Sequence, residues 1–198
     1  MSSNATLGIS GEAGSFSEEA GLLYAQRKGM AAQLVYLTDM EGVLAAIEKG
    51  KIETGIFPVV NSRGGLVKMA FQAMGNHLFQ MIDEVWLEVR QSLLVQPGVK
   101  SSQIDHIVSH TQALAQCERY LQKEFRRAEL TEWQDTAKAA HDLALGKLGK
   151  TTAVIASERC AHIYGLEVLA RNIQDSHPNL TTFIVVKKHP SATSAENS

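Results

Sequence analysis

Short apolar runs alternate with segments of helical periodicity along most of the chain. The predicted strands lie at residues 7–9, 33–37, 54–58, 84–95 (one long strand or a pair), 106–108, 152–156 and near 183. The predicted helices lie at residues 17–28, 40–49, 67–74, 111–125, 136–146 and 157–164, with Gly165 as the C-cap of the last. Strands that alternate with helices favour an α/β fold with parallel sheets covered on both faces.

The length and one internal turn predict two lobes. A chain of 198 residues can form one domain or two small lobes, and the Gln96-Pro97-Gly98 turn suggests a boundary. We expect a first lobe of residues 1–92 and 170–190, with the last strand returning to it, and a second lobe of residues 93–169. The tail, residues 189–198, is expected to be disordered.

Composition argues against several classes of protein. A formal charge of -2 and a pI near 6.4 give no reason to expect nucleic-acid binding. The first residues lack the basic start and apolar core of a signal peptide, and no apolar run approaches the ~20 residues of a membrane span. Cys117 and Cys160 lie far apart and predict reduced thiols in a cytoplasmic protein.

Four loops that follow strands have the chemistry to hold an anion. They are residues 11–17, 58–65, 109–114 and 135–140. In open α/β sheets ligands bind beyond the carboxyl ends of strands, and helix N-termini attract anions. Several such loops facing one cleft would suit a small dicarboxylate held without a metal or cofactor. Ordinary capped helices would give the same local patterns.

Taken in order, these segments resemble the prephenate dehydratase family. The matches are Gly11, Gly14, Ser15, Phe16 and Ser17; Phe57-Pro58-Val59-Val60-Asn61-Ser62; Ser109 to Cys117; Asp135 to Ala140; Ile155-Ala156-Ser157; Tyr164-Gly165-Leu166; and Asn179, Thr181 and Phe183. They span roughly residues 7 to 188.

The resemblance implies a fold and an organisation. It implies a two-lobed α/β fold like a type II periplasmic binding protein, with the active site in the cleft between the lobes. The family's C-terminal ACT domain and a fused chorismate mutase segment are not recognised, so feedback control by phenylalanine through such a domain is not expected. We also expect a homodimer or a higher homo-oligomer that binds a small molecule, with no nucleic-acid or membrane partner.

The same resemblance assigns roles to residues. Thr181 matches the family threonine that assists departure of the ring hydroxyl. The expected substrate-binding residues are Gly14, Ser15, Phe16, Asn61, Ser62, Arg63, Ser109, His110, Gln112, Thr136, Ala137, Thr182 and Phe183.

Two departures affect the site. The family arginine after the motif threonine is Thr182 here, and the family glutamate before Asn61 is Val60. If the two charged groups pair in relatives, removing both avoids leaving either one buried and unpaired. Arg63 is a candidate replacement cation, and a solvated loop residue is the equally favoured alternative.

Three functions follow from this pattern. The leading one is a carbon–oxygen lyase that converts prephenate to phenylpyruvate, water and carbon dioxide in phenylalanine biosynthesis. The second is a prephenate decarboxylase of specialised metabolism that keeps the ring hydroxyl, which the altered motif favours and the retained Thr181 disfavours. The third is a non-catalytic module that binds a small dicarboxylate. The sequence leaves open whether the substrate is prephenate or arogenate.

Overall fold

The computed structural model describes residues 5–193, and within that range the chain forms eleven β-strands and seven α-helices. The strands are β1 (Ala5–Ser10), β2 (Ala32–Leu37), β3 (Thr54–Asn61), β4 (Gly65–Leu66), β5 (Phe79–Glu88), β6 (Ser92–Val95), β7 (His106–Ser109), β8 (Glu129–Glu132), β9 (Thr152–Ala156), β10 (Glu167–Ala170) and β11 (Leu180–Lys188). The helices are α1 (Phe16–Lys28), α2 (Met40–Glu48), α3 (Lys68–Asn76), α4 (Thr111–Gln116), α5 (Glu118–Glu124), α6 (Thr136–Ala144) and α7 (Glu158–Tyr164).

These elements fold into two compact units. The first contains the described residues up to Glu12, Phe16–Leu87, and the described residues from Leu180. The second contains Ala13–Ser15 and Glu88–Asn179. The chain therefore contributes a three-residue segment between β1 and α1 to the second unit.

The first unit is built on a mixed sheet in the order β2-β1-β3-β11-β5, with β4 paired to β3. β1 is parallel to β2 and β3, and β11 is antiparallel to β3. One core cluster packs α2 and α3 on the sheet, around Leu44, Ile47 and Phe57. A second cluster, around Leu7, Ile9 and Phe183, packs against α1.

The second unit is built on a five-stranded sheet in the order β10-β6-β9-β7-β8. β7 is parallel to β8 and β9, whereas β6 is antiparallel to β9 and β10. One cluster includes residues of α6 and α7, and the other includes residues of α4 and α5. The periodicity that predicted these helices therefore corresponds to buried faces.

The structure corrects several details of the predicted elements. Both sheets are mixed rather than parallel, because β11, β6 and β10 each run against a neighbour. The helix predicted over 111–125 is two helices, and the segment predicted at 84–95 is the pair β5 and β6. The predicted strands do not include β4, β8 or β10. Gly165 ends α7 with φ 68°, which confirms its predicted role as C-cap.

The unit boundaries differ from those predicted at 92/93 and 169/170. Residues 88–92 and 170–179 belong to the second unit, where Ile173 donates its N–H to the carbonyl of Gln91 and Val89 donates to that of Asn179. Of the tail predicted from residue 189, Pro190–Thr193 form a 3-10 helix, and residues 194–198 lie outside the described residues. No helix among residues 5–193 has the length and apolar character needed to cross a bilayer.

Candidate active site

A β-bulge shapes the strand ends that carry the motif residues of the first unit. Phe183 is opposite Pro58 and Thr182 is opposite Val60, so Val59 is the extra residue on β3. A proline has no N–H for the ladder and is tolerated in a sheet mainly at edges and bulges. Beyond the bulge, Asn61 and Thr181 face each other as the last pair.

The side chains of Asn61 and Thr181 form a buried hydrogen bond. Asn61 Nδ2 donates to Thr181 Oγ1 over 2.8 Å, and the two residues are only 4% and 6% exposed. Asn61 Oδ1 accepts the N–H groups of Arg63 and Gly64 over 2.9 and 2.7 Å. Because only the amide oxygen can accept these two bonds, the orientation of the amide is fixed and its NH₂ faces Thr181.

The direction of this bond decides what the hydroxyl of Thr181 can do. A hydroxyl has one proton to donate and two lone pairs that accept. Since Thr181 Oγ1 accepts from Asn61, its own proton remains available for another acceptor. The arrangement therefore presents a fixed, neutral hydrogen-bond donor at the end of β11.

The loop after Asn61 is held by backbone bonds rather than by its charged side chain. Ser62 donates its N–H to the Leu180 carbonyl over 2.7 Å, and the Leu180 N–H donates to Ser62 Oγ over 3.0 Å. Arg63 is exposed and forms no ion pair with any of residues 5–193. Its assignment to a substrate carboxylate stays a prediction.

The two departures from the family pattern are direct neighbours in the sheet. Thr182 on β11 is the cross-strand partner of Val60 on β3. Both residues are half-buried, and Val60 packs against the core cluster around Leu44 and Phe57. A glutamate and an arginine at these positions would be close enough to pair, which supports the inference that the two changes are coupled.

Phe16 and Phe183, both expected to bind substrate, contribute to the core of the first unit. Phe183 is 1% exposed and packs with Leu7, Ile9 and Val85, and Phe16 is half-buried against the same cluster. We therefore propose that Phe183 supports β11 rather than contacting a ligand.

The Ala13–Ser15 segment is held within the second unit by its carbonyl groups. Gly14 has φ +84°, and a Cβ placed on it would lie 2.7 Å from Cys160 Sγ. Only glycine adopts this conformation at this distance without strain. Ser15 follows as a buried residue, 8% exposed.

The residues expected around β7 are engaged mostly in local structure. Ser109 is fully buried, and its hydroxyl donates to the Ile155 carbonyl over 2.6 Å. His110 is the N-cap of α4, where Nδ1 accepts the Gln112 N–H over 3.2 Å. The Gln112 side chain is half-buried. The structural alternative for His110, a capping group, is thus the role that the structure shows.

The start of α6 has an acidic cap. Asp135 is the N-cap, and its Oδ1 accepts the Lys138 N–H over 2.7 Å. Thr136 is half-buried, whereas the side chain of Ala137 is fully buried. The assignment of Ala137 to the substrate stays a prediction.

The residues that hold these loops in place have no role among the predicted site residues. Asn179 is 1% exposed, and its Nδ2 donates to Gln116 Oε1 over 3.0 Å. Ser157, Cys160 and Tyr164 bond to the carbonyls of the Ala13–Ser15 segment. The motif matches at 157, 164 and 179 were the available signal, but they did not indicate what each side chain contacts.

Comparison with known proteins identifies the family of the chain. The prephenate dehydratase family profile matches residues 7–191. The chain is 35% identical over 189 residues to arogenate dehydratase/prephenate dehydratase 6, chloroplastic, of Arabidopsis thaliana, a match that covers 95% of this chain and 44% of the relative. The chain thus spans less than half the length of that relative.

Solved structures show the same fold. Prephenate dehydratase from Arthrobacter aurescens, solved in complex with L-Phe, superposes with a TM-score of 0.84 at 27% identity over 93% of this chain and 60% of that one. A putative methionine-binding lipoprotein of Bacillus subtilis shares only the fold, with a TM-score of 0.51 at 12% identity over 98% of this chain and 86% of that one. The predicted fold class, a two-lobed α/β protein like the periplasmic binding proteins, is confirmed. The chain belongs to the prephenate dehydratase family.

Proposed function

We propose that this chain is a lyase that converts prephenate to phenylpyruvate, water and carbon dioxide. The observation that carries the proposal is the buried Asn61–Thr181 bond, which leaves the Thr181 proton available to a leaving group. Family membership supports the same reaction.

The reaction needs positioning more than acid strength. The ring carboxylate leaves as carbon dioxide, the electrons of that C–C bond enter the ring, and the ring C–O bond breaks. Thr181 donates a hydrogen bond to the departing oxygen, and the net proton that completes water comes from solvent. A threonine hydroxyl is a weak acid, so this fixed, buried donor must supply most of its effect through geometry and electrostatics.

We propose that backbone N–H groups supply much of the carboxylate binding. The resemblance assigns the Gly14–Ser15 loop and the start of α6 to the substrate, and the first N–H groups of a helix carry positive partial charge. Thr182 leaves β11 without the family's guanidinium at that position. The affinity for a dicarboxylate is therefore expected to be lower than an intact motif would give.

Arogenate is the alternative substrate, and one observation favours it. The Arabidopsis relative at 35% identity is named for both arogenate and prephenate. The two substrates differ by an amino group in place of a keto oxygen, so each should be supplied separately. The decarboxylase is a second candidate function, because Val60 and its cross-strand partner Thr182 both depart from the family pattern.

The test is to incubate the purified chain with prephenate, and separately with arogenate, and to record proton NMR spectra of the products. Aromatic signals support the dehydratase. Loss of carbon dioxide with surviving ring alkenes would identify the decarboxylase instead. Substrate that binds measurably but stays unchanged would refute the proposed lyase activity and support the non-catalytic binding module.

Variants of the pair test the assigned mechanism in the same assay. Thr181→Val removes the hydroxyl at nearly constant volume, and Asn61→Asp replaces the donor with an acceptor to which Thr181 must donate its own proton. Both should lower kcat by ~10²-fold or more, the scale of a positioned proton donor. Thr181→Ser keeps the donor and should stay within about tenfold of the unmodified chain. A Thr181→Val activity equal to that of Thr181→Ser would remove the hydroxyl from the mechanism.

We also propose a cellular compartment and an oligomeric state for the protein. Cys117 and Cys160 are buried and are not joined by a disulfide, which supports a reducing compartment such as a cytoplasm. The names of several relatives include the word chloroplastic, and that location is stated only for those relatives. We propose a homodimer, which sedimentation velocity of the purified chain would test.

A further inference from the structure

We propose that three side chains on one face of the α7 segment are positioning residues for the Gly14–Ser15 loop. Ser157 Oγ donates to the Gly14 carbonyl over 2.6 Å, and Cys160 Sγ donates to the same oxygen over 3.3 Å. Tyr164 Oη donates to the Ala13 carbonyl over 2.7 Å. This inference rests on the proposed function, because it treats the loop as part of the substrate site.

The three donors form a continuous stripe. Their spacing of three and four residues places them on one side of a helix, from the N-cap Ser157 to the last residue, Tyr164. Ser157 is 2% exposed and Cys160 is fully buried. A buried carbonyl that loses its donor costs more than the bond itself contributes, so the loop is held firmly in this position.

The bonds also fix the direction of the loop's N–H groups. In a trans peptide the carbonyl and the following N–H point in opposite directions, and among residues 5–193 the only cis bond is His177-Pro178. Carbonyls of Ala13 and Gly14 turned towards α7 therefore turn the N–H groups of Gly14 and Ser15 away from it. The bonds to α7 therefore set the direction of both amide groups.

Tyr164 links this loop to a second predicted substrate segment. Its ring stacks on His141 of α6, with centroids 4.9 Å apart and an interplanar angle of 9°. The helix that carries His141 begins at Thr136, which the resemblance also assigns to the substrate. Stacking of the Tyr164 ring on α6 thus fixes the position of its hydroxyl, and the hydroxyl in turn holds the loop.

The variants that test this inference remove single hydroxyl groups. Tyr164→Phe keeps the ring that stacks on His141 and removes only the donor, and Ser157→Ala removes the donor at the other end of the stripe. Tyr120→Phe makes the same chemical change on a half-buried tyrosine of the second unit and serves as the matched control. Ser157→Thr keeps a hydroxyl and should restore the behaviour of the unmodified chain.

The first readout is kinetic. Tyr164→Phe and Ser157→Ala should raise KM by ~3–10-fold, the scale of one hydrogen bond, with little change in kcat. The Tyr120→Phe and Ser157→Thr variants should keep the original KM. A common fall in kcat and melting temperature with KM unchanged would indicate a merely structural role and overturn the inference.

The second readout does not depend on activity. In ¹⁵N–¹H NMR spectra the Gly14 and Ser15 amide signals should shift in Tyr164→Phe and stay in place in Tyr120→Phe. Unmoved signals would refute the positioning role whatever the chain does with prephenate. If the unmodified chain turns over neither prephenate nor arogenate, the proposed function and the loop's role towards substrate both fail, and the amide signals alone decide whether α7 positions the loop. Shifted signals with an unchanged KM in an active enzyme would also refute the link to substrate.

Discussion

Position 60 and position 182 show how two changes at single residues can depend on each other. Thr182 faces Val60 across β3 and β11, and Val60 also faces Leu66 on β4. An arginine introduced alone at 182 would lie against a valine with no carboxylate beside it. A glutamate introduced alone at 60 would be partly buried without a cation, which is an unfavourable environment for a charge.

We therefore expect Thr182→Arg and Val60→Glu to be non-additive. Each single variant should lower the free energy of unfolding, and the double variant should recover a coupling energy of ~0.5–3 kcal/mol, the range for residues in contact. Urea unfolding and kcat/KM for prephenate measure this double-mutant cycle. In the kcat/KM measurement, the effect of the double variant should exceed the sum of the effects of the single variants. Thr182→Lys with Val60→Glu is the control, because it supplies charge without the planar fork of arginine. Strict additivity would show that the two departures are independent.

At the scale of elements, local periodicity identified the helices, but contacts distant in sequence set several boundaries. The segment predicted as one helix divides at Cys117, where Asp175 accepts the N–H groups of Arg119 and Tyr120 over 2.9 and 3.3 Å. No local pattern signals a cap that lies more than fifty residues away. β8 was missed because Glu129–Glu132 is mostly exposed and is defined by its pairing with β7.

A histidine clamp joins two elements of the first unit and predicts a pH effect. His77 follows α3, and its ring nitrogens bond to Glu41 over 2.6 Å and to Glu48 over 2.8 Å on α2. Burial alone would lower the pKa of His77, but the bonds to the two carboxylates outweigh it and raise the pKa. The bond to His77 lowers the pKa of Glu48.

The two changes in pKa stabilise the fold over different pH ranges. A raised His77 pKa contributes stability that is complete below the ordinary value of 6.5 and is lost as pH rises through the folded value. A lowered Glu48 pKa contributes stability above its ordinary value of 4.5 and is lost as pH falls through the folded value. The clamp should therefore be strongest between these two ordinary values.

We expect the difference in unfolding free energy between the unmodified chain and His77→Gln to be larger near pH ~5.5 than near pH ~8.5. Urea unfolding at both pH values measures it. His162→Gln, the same change on an exposed histidine, is the control and should show a smaller dependence. A difference that does not vary with pH would mean that His77 has the same pKa in the folded and unfolded states, and the ionic bonds to Glu41 and Glu48 would then not stabilise the fold.

The two units differ in which parts of the chain form them. The sheet of the second unit and helices α4 to α7 all lie within Glu88–Asn179. The sheet of the first unit combines distant parts of the chain, because β11 lies between β3 and β5 in it. Sequence patterns predicted that the last strand returns, and the strand order shows that it returns to an interior position.

The kind of contact that each residue makes explains which parts of the candidate site could be predicted from the sequence. Family motifs located Asn61 and Thr181 although 120 residues separate them. They did not reveal that Asn61 fixes its own amide through Arg63 and Gly64, nor that α7 holds the Ala13–Ser15 segment. Those bonds end on backbone groups, which every residue supplies, and so they leave no signature in the sequence.

The difference in continuity predicts different outcomes for two truncations. Residues 88–179 alone should give a folded protein with a cooperative thermal transition, because both core clusters of that unit lie within this range. It should be less stable than the same unit in the full chain, since Ser157 and Tyr164 lose the carbonyls of Gly14 and Ala13. Circular dichroism and urea unfolding would measure both properties.

Residues 1–179 should fail to fold the first unit. Without β11 the partners β3 and β5 lose their shared neighbour, and the core cluster around Leu7 and Ile9 loses Phe183 and Val185. Residues 1–188 keep the strand and are the matched control, which should unfold like the full chain. Rapid proteolysis confined to residues 1–87 of the shorter chain is the expected result. If that region resisted proteolysis as well as it does in the control, the interior place of β11 would not be what holds the first unit together.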